Sequence, residues 1–215
     1  MPPRLEAPVK IAILLYEEMT ALDAIGPYEV LSQLPKAEVC FTAEEKGLVR
    51  TDTGFLRLSA DYDLSDVSQA DILLVPGGPG DRAVQQRPNV LDWIRMIHEQ
   101  TRFTTSVCTG SLILGAAGLL KDLRATTYWA RMEVLRKFGA IPTSERVVEQ
   151  GKIITAAGVS AGIDMALRLV QKISGDDYAQ GVQLGIEYDP QPPFDSGSPS
   201  KAPSHIVDLV KTVMS

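Results

Sequence analysis

Histidine and cysteine are scarce: His98, His205, Cys40 and Cys108 are all that 215 residues contain. With so few ring nitrogens and thiols there is no metal-ligand spacing, so no metal site is expected. The two cysteines are expected as free thiols of a reducing compartment. No apolar run approaches the roughly 18 uncharged residues that a membrane-spanning helix needs, so no membrane partner is expected. The start, Met1-Pro-Pro-Arg-Leu-Glu-Ala-Pro, lacks an apolar stretch with a cleavage site. Residues 1–8 therefore read as a disordered lead-in, and the expected location is the cytoplasm. Basic residues are in deficit, 21 against 27 acidic, for a net charge of −6, which argues against a nucleic-acid partner and leaves small molecules. Internal repeats and domain linkers are missing too.

What remains is an ordinary globular composition, 45% hydrophobic and 22% charged, long enough for one α/β domain over residues 1–215. Lys10 to Tyr16 reads as a strand, and the apolar spacing from Leu22 to Leu34 as a helix that Pro35 ends. Val39 to Thr42 and Thr51 to Leu58 suggest two further strands, with turns at Gly47 and Thr53-Gly54. Asp71 to Val75 is a continuous apolar run stopping at Pro76-Gly77-Gly78-Pro79-Gly80, the pattern of a strand buried on both faces before a tight loop. A helix over Asn89–Gln100 follows, then a strand over Phe103–Val107 and a helix over Gly110–Leu120. A short strand over Ala125–Tyr128, a helix over Ala130–Phe138, a strand over Lys152–Ala156 and an amphipathic helix over Ser160–Ser174 complete the alternation. This order implies a mostly parallel sheet with helices on both faces and ligands at the carboxyl ends of the strands. Asp189 to Pro203 is rich in Pro, Ser and Gly and is expected as an extended arm before a last helix over Ser204–Met214. The arm serves either as a strap over its own domain or as an embrace of a second subunit.

Ser106-Val107-Cys108-Thr109-Gly110 puts a cysteine where a buried strand turns into a helix, the arrangement that presents the serine of G-x-S-x-G hydrolases. Helix-end N–H groups would favour the thiolate of Cys108, and Gly110 leaves room for a close approach. The competing reading is a small, inert core cysteine, which is how Cys40 reads. Asp23 lies among apolar neighbours beyond the first strand and reads equally as a helix cap or as a desolvated acid/base partner with a raised pKa. The Pro-Gly-Gly loop around Gly78 is either a backbone-approach loop beside the crevice or an ordinary turn; it is not a dinucleotide fingerprint. At Thr155–Gly162 a strand again runs into a helix, with Ser160 as its expected cap and the Val159 N–H as a donor toward the crevice. Neither histidine follows a strand, so a cysteine-histidine couple has poor candidates.

These features together, the Pro-Gly-Gly loop, the cysteine elbow and the Gly-x-x-Ala-Gly-Ile-Asp helix start, resemble the ThiJ/PfpI superfamily. The resemblance implies a flavodoxin-like core of the class I glutamine amidotransferase kind, and often a homodimer. The stretches LDAIGPYEVL (22–31), TSVCTGSLILGAAGLL (105–120), RATTYWA (124–130), GVSAGIDMAL (158–167) and EYDPQPPFDSGSP (187–199) look like the isocyanide hydratase branch. By that resemblance Cys108 is the nucleophile, Asp23 the essential aspartate, Thr109 the water-positioning threonine and Val159 the backbone donor to the cysteine. It also implies an isocyanide substrate, a cysteine thioimidate and no cofactor. One departure stands out: many members carry a histidine after Thr-Thr, where this chain has Tyr128, which weakens a histidine-assisted hydrolase. The competing expectations are a glyoxalase- or deglycase-like enzyme at the same cysteine and a cysteine-based ligand or redox sensor. The final helix alone is not expected to form a helix-turn-helix.

Overall fold

The computed structural model describes residues 8–213, so the lead-in, Pro8 apart, and the last residue of the helix expected over Ser204–Met214 lie outside the described residues. The first half comprises β1 (Val9–Leu14), α1 (Ala21–Leu31), β2 (Ala37–Ala43), β3 (Gly47–Arg50), β4 (Arg57–Ala60), β5 (Tyr62–Asp63), β6 (Ile72–Val75), α2 (Asp81–Val84), α3 (Pro88–Gln100) and β7 (Phe103–Val107). The second comprises α4 (Gly110–Ala116), β8 (Arg124–Ala125), β9 (Ile141–Pro142), β10 (Val147–Gln150), β11 (Ile153–Ala156), α5 (Ala161–Ser174), α6 (Asp176–Gly185) and α7 (Ser204–Val213).

Seven strands form one sheet in the order β10-β11-β7-β6-β1-β2-β5, parallel throughout except for the β10–β11 edge pair. The expected α/β architecture is therefore present, with α1, α5 and α6 packed as one group and with α2 and α3 both packed against α4. Every residue of β6 is buried, as its unbroken apolar sequence requires. Ile11, Ile13, Leu73 and Leu74 from the central strands, Ile94 and Ile97 from α3 and Leu112 from α4 are fully enclosed. Each such side chain contributes about 1.5–3 kcal/mol on leaving water, set against the entropy of ordering it.

The chain leaves β1 toward β2 on one side, whereas β6 leads to β7 on the other. Their carboxyl ends thus diverge and leave a crevice, the usual ligand position in an open α/β sheet. The segment before α1, the Pro76–Gly80 loop and the Cys108–Thr109 turn all meet there.

Several boundaries differ from expectation. Thr51 to Leu58 is not one strand: β3 and β4 pair antiparallel as a hairpin whose turn holds Gly54 at φ +78°. The helix expected to run to Leu34 ends at Leu31, and the one expected to reach Leu120 ends at Ala116, just before Gly118 at φ +82°. The Ala125–Tyr128 strand shrinks to Arg124–Ala125 because Thr126 gives its N–H to the Thr155 hydroxyl and Thr127 turns its own hydroxyl to the Cys108 carbonyl. Trp129–Phe138 is wound as a 3-10 helix rather than an α-helix. Strand β10 and helix α6 were not anticipated.

Candidate active site

Cys108 sits between β7 and α4 in a left-handed conformation, φ +55°, a turn that a residue with a Cβ adopts only under constraint. Four hydrogen bonds supply it. The Cys108 N–H is shared by the Ala156 and Ala157 carbonyls at 3.1 and 3.0 Å, and its carbonyl accepts the hydroxyls of Thr127 at 2.9 Å and Ser111 at 3.2 Å. Gly110 is indispensable to the turn, since a Cβ there would stand 2.1 Å from the Val75 carbonyl oxygen. Only 6% of Cys108 is exposed.

That burial overturns one expectation. The helix end was expected to favour the thiolate, but burial pushes the thiol up to about 12, with the negative charges of Asp23 and Asp81 also raising it. The N–H groups of Thr109 and Val159 pull the other way and are outweighed. The sulfur therefore rests protonated.

Asp23 is fully buried in the first turn of α1. It is not the helix cap, a position that Thr20 occupies; its Oδ2 instead accepts the Gly77 N–H at 2.9 Å, and its Oδ1 is sealed from solvent without a hydrogen-bond partner. Burial raises its pKa to about 7 and the charge of Asp52 adds to this, while the Gly77 N–H and the facing Cys108 thiol lower it. Near neutral pH this carboxyl is thus poised between its two forms beside a thiol that is not, which is the condition for passing one proton back and forth.

The loop around Gly78 is a backbone-approach loop rather than a bare turn. Gly78, at φ +133°, donates its N–H to the Thr109 hydroxyl at 2.9 Å, and its carbonyl accepts that hydroxyl at 3.2 Å. A Cβ on Gly77 would lie 2.4 Å from the Thr109 nitrogen. The Thr109 hydroxyl is therefore fixed in place with one lone pair left for a water. Val159, at φ +36°, turns its N–H to Cys108 as expected, whereas the Ser160 hydroxyl does not cap α5 and accepts instead from Arg146 at 3.3 Å.

Tyr16, Gly77 and Thr127 were not singled out in the sequence. The Tyr16 hydroxyl donates to the Pro76 carbonyl at 2.8 Å, and burial raises its pKa, with the charges of Asp23 and Asp81 adding to this. Tyr128, where a histidine was considered, packs over Gly158 near Cys108. His98 bonds Thr104 at the far end of β7, His205 lies on α7, and Cys40, on β2, forms no disulfide with Cys108.

Comparison with known proteins gives three findings. The model of the DJ-1/PfpI family matches residues 9–172. An isonitrile hydratase of Pseudomonas putida is 47% identical over 200 residues, 93% of this chain and 87% of its own. The crystal structure of a ThiJ/PfpI family protein from Pseudomonas syringae superposes with a TM-score of 0.93 at 36% identity, covering 99% of this chain and 91% of the other.

Proposed function

The chain belongs to the DJ-1/PfpI family, and on that premise we propose that it is an isonitrile hydratase, adding water to an isocyanide R–NC to give an N-substituted formamide. The likeness to the Pseudomonas putida enzyme supports this reading. The observation that carries the chemistry is the buried carboxyl of Asp23, titrating near 7 against the Cys108 thiol. An isocyanide carbon accepts a nucleophile only if a proton arrives as the bond forms, and this pair supplies both.

Sulfur of Cys108 bonds to the terminal carbon while its proton passes to ionised Asp23 and from there to the same carbon. The product is a thioimidate, R–N=CH–S–Cys108, with Asp23 ionised again. Water held between Asp23 and the Thr109 hydroxyl gives a proton to Asp23 and its oxygen to the carbon, and the imine nitrogen receives that proton. Collapse of the tetrahedral R–NH–CH(OH)–S–Cys108 breaks the C–S bond, moves the hydroxyl proton through Asp23 to sulfur, and releases R–NH–CHO. The balance is substrate plus one water, with no histidine and no cofactor needed. The slim, linear isocyanide group also suits a nucleophile that is almost closed off. A peroxide-sensing role fits less well, because sensing thiols are accessible and readily ionised, and Cys108 is neither.

We place the enzyme in the cytoplasm as a homodimer; no helix among the described residues is long and apolar enough to cross a membrane. Incubation with a simple aliphatic isocyanide tests the activity: loss of the isocyanide infrared stretch matched by formamide is expected in the wild type and not in Cys108→Ala. Equal conversion of methylglyoxal and none of the isocyanide would move the assignment to a glyoxalase-like enzyme.

A further inference from the structure

Asp81 opens α2 directly after the Pro76–Gly80 loop, and it is fully buried. Its Oδ2 accepts a 2.6 Å hydrogen bond from Gln85 and lies 3.6 Å from the guanidinium of Arg131, while Oδ1 is sealed without a partner. A carboxylate held so far from water with one ion pair is costly to keep, and its surroundings say what it does there.

Two short chains of bonds lead from this pair to the nucleophile. The Asp81 N–H donates to the Gly78 carbonyl at 3.0 Å, the same carbonyl that accepts the Thr109 hydroxyl. On the other side, the Arg131 N–H donates to the Tyr128 carbonyl at 2.8 Å, next to Thr127, whose hydroxyl holds the Cys108 carbonyl. The ion pair therefore joins the loop that fixes Thr109 to the segment that fixes Cys108. The charge of Asp81 also reaches the sulfur: Cys108 is faced by Asp23 from α1, Asp81 from α2, and the rings of Tyr16 and Tyr128. Asp81 in turn is faced by Arg131, Arg82, Gln85 and Tyr16.

We propose that Asp81 and Arg131 form a positioning pair for the hydration reaction, in which Arg131 offsets a second buried carboxylate beside the nucleophile and locks the Pro76–Gly80 loop to the Tyr128–Phe138 segment. This rests on Cys108 as the nucleophile. Of the two carboxyls near the sulfur, Asp23 changes charge during turnover, while Asp81, whose pKa burial raises, is drawn back toward its charged form and partly offset by Arg131. Because the attacking group is a developing thiolate, the sign of the uncancelled charge decides how readily it forms.

The test is the rate at which iodoacetamide alkylates Cys108, read on its peptide by mass spectrometry at about pH 8, where thiolate is the minor form. Asp81→Asn leaves Arg131 uncancelled and is expected to speed alkylation roughly threefold or more; Arg131→Met leaves Asp81 uncancelled and is expected to slow it by a similar factor. The double variant Asp81→Asn/Arg131→Met, and Arg131→Lys, restore near-wild-type rates. A pair that only braces the fold would shift both single variants in the same direction, and a pair remote from the chemistry would shift neither; either result overturns the proposal. Should Arg131→Met fail to fold, Asp81→Asn and the charge-neutral double variant still decide the sign, with circular dichroism as the folding check. Alkylation needs no isocyanide, so these rates stand apart from any failure of the hydratase reading.

Discussion

At Asp23 the fold keeps a carboxyl group where its charged form is disfavoured. Its pKa rises from 3.8 to about 7, so the favourable contribution of the protonated group is complete below about pH 4 and is lost as pH climbs through 7. The difference is worth on the order of 4 kcal/mol before relaxation. Asp23→Asn, which keeps the shape without the charge, is therefore expected to raise the melting temperature clearly at pH 8 and hardly at pH 4, while abolishing turnover. Equal shifts at both pH values in thermal unfolding would contradict the assigned titration. Since Asp23 must be ionised to receive the thiol proton, kcat/KM is expected to rise with pH through a limb near 7. Cys108, Asp23 and Val159 stood out in the sequence because each lies at or just past a strand-to-helix junction, which left their roles open, and the structure brings the three together. The protonated resting state of the thiol was not, because desolvation depends on neighbours that the chain brings in from α1 and α2. Tyr16 gave no signal for a similar reason, its partner being 60 positions away.

The elements converge through glycines at close approaches. Gly78 lies at φ +133° with the backbone of Glu18, Met19 and Thr20 about 2.5 Å from where a Cβ would be. Gly78→Ala is expected to cost on the order of 2–4 kcal/mol in urea unfolding and to lower kcat by displacing Thr109. An unchanged midpoint with full activity would mean that the loop is not a rigid support for Thr109. Gly162 plays a related part in α5, where a Cβ would meet Val107 at 2.9 Å and Pro27 of α1 at 3.0 Å, so α1 and α5 cross closely. The long strands and the α3 and α5 helices were readable from apolar period. The β3–β4 hairpin was read as one strand over Thr51–Leu58, a run that in fact holds its turn, and α6 was missed because Gly181 and Gly185 dilute its helical pattern.

For the molecule as a whole, alternation of strands and helices foretold a parallel sheet with its crevice at the strand ends, but not the strand order that places the crevice between β1 and β6. The arm over 189–203 has neither helix nor strand, as its composition indicated, and α7 beyond it has no buried residue. Phe194 of the arm and Leu209 and Val213 of α7 are 77%, 57% and 73% exposed, apolar surface of the kind that the proposed second subunit would cover. If the proposed homodimer is held by this arm, truncation at Asp189 is expected to leave only monomer in sedimentation where the full chain gives dimer; a dimer unchanged by the truncation would place the contact elsewhere.

The proposed hydration runs through a covalent bond between the substrate carbon and one particular sulfur, that of Cys108. Mass spectrometry of protein quenched during turnover, or of a slow variant such as Thr109→Val, tests it most directly. An adduct of one substrate mass is expected on the Cys108 peptide and none on the Cys40 peptide. Steady formamide production with no adduct on Cys108, and persisting in Cys108→Ala, would contradict it.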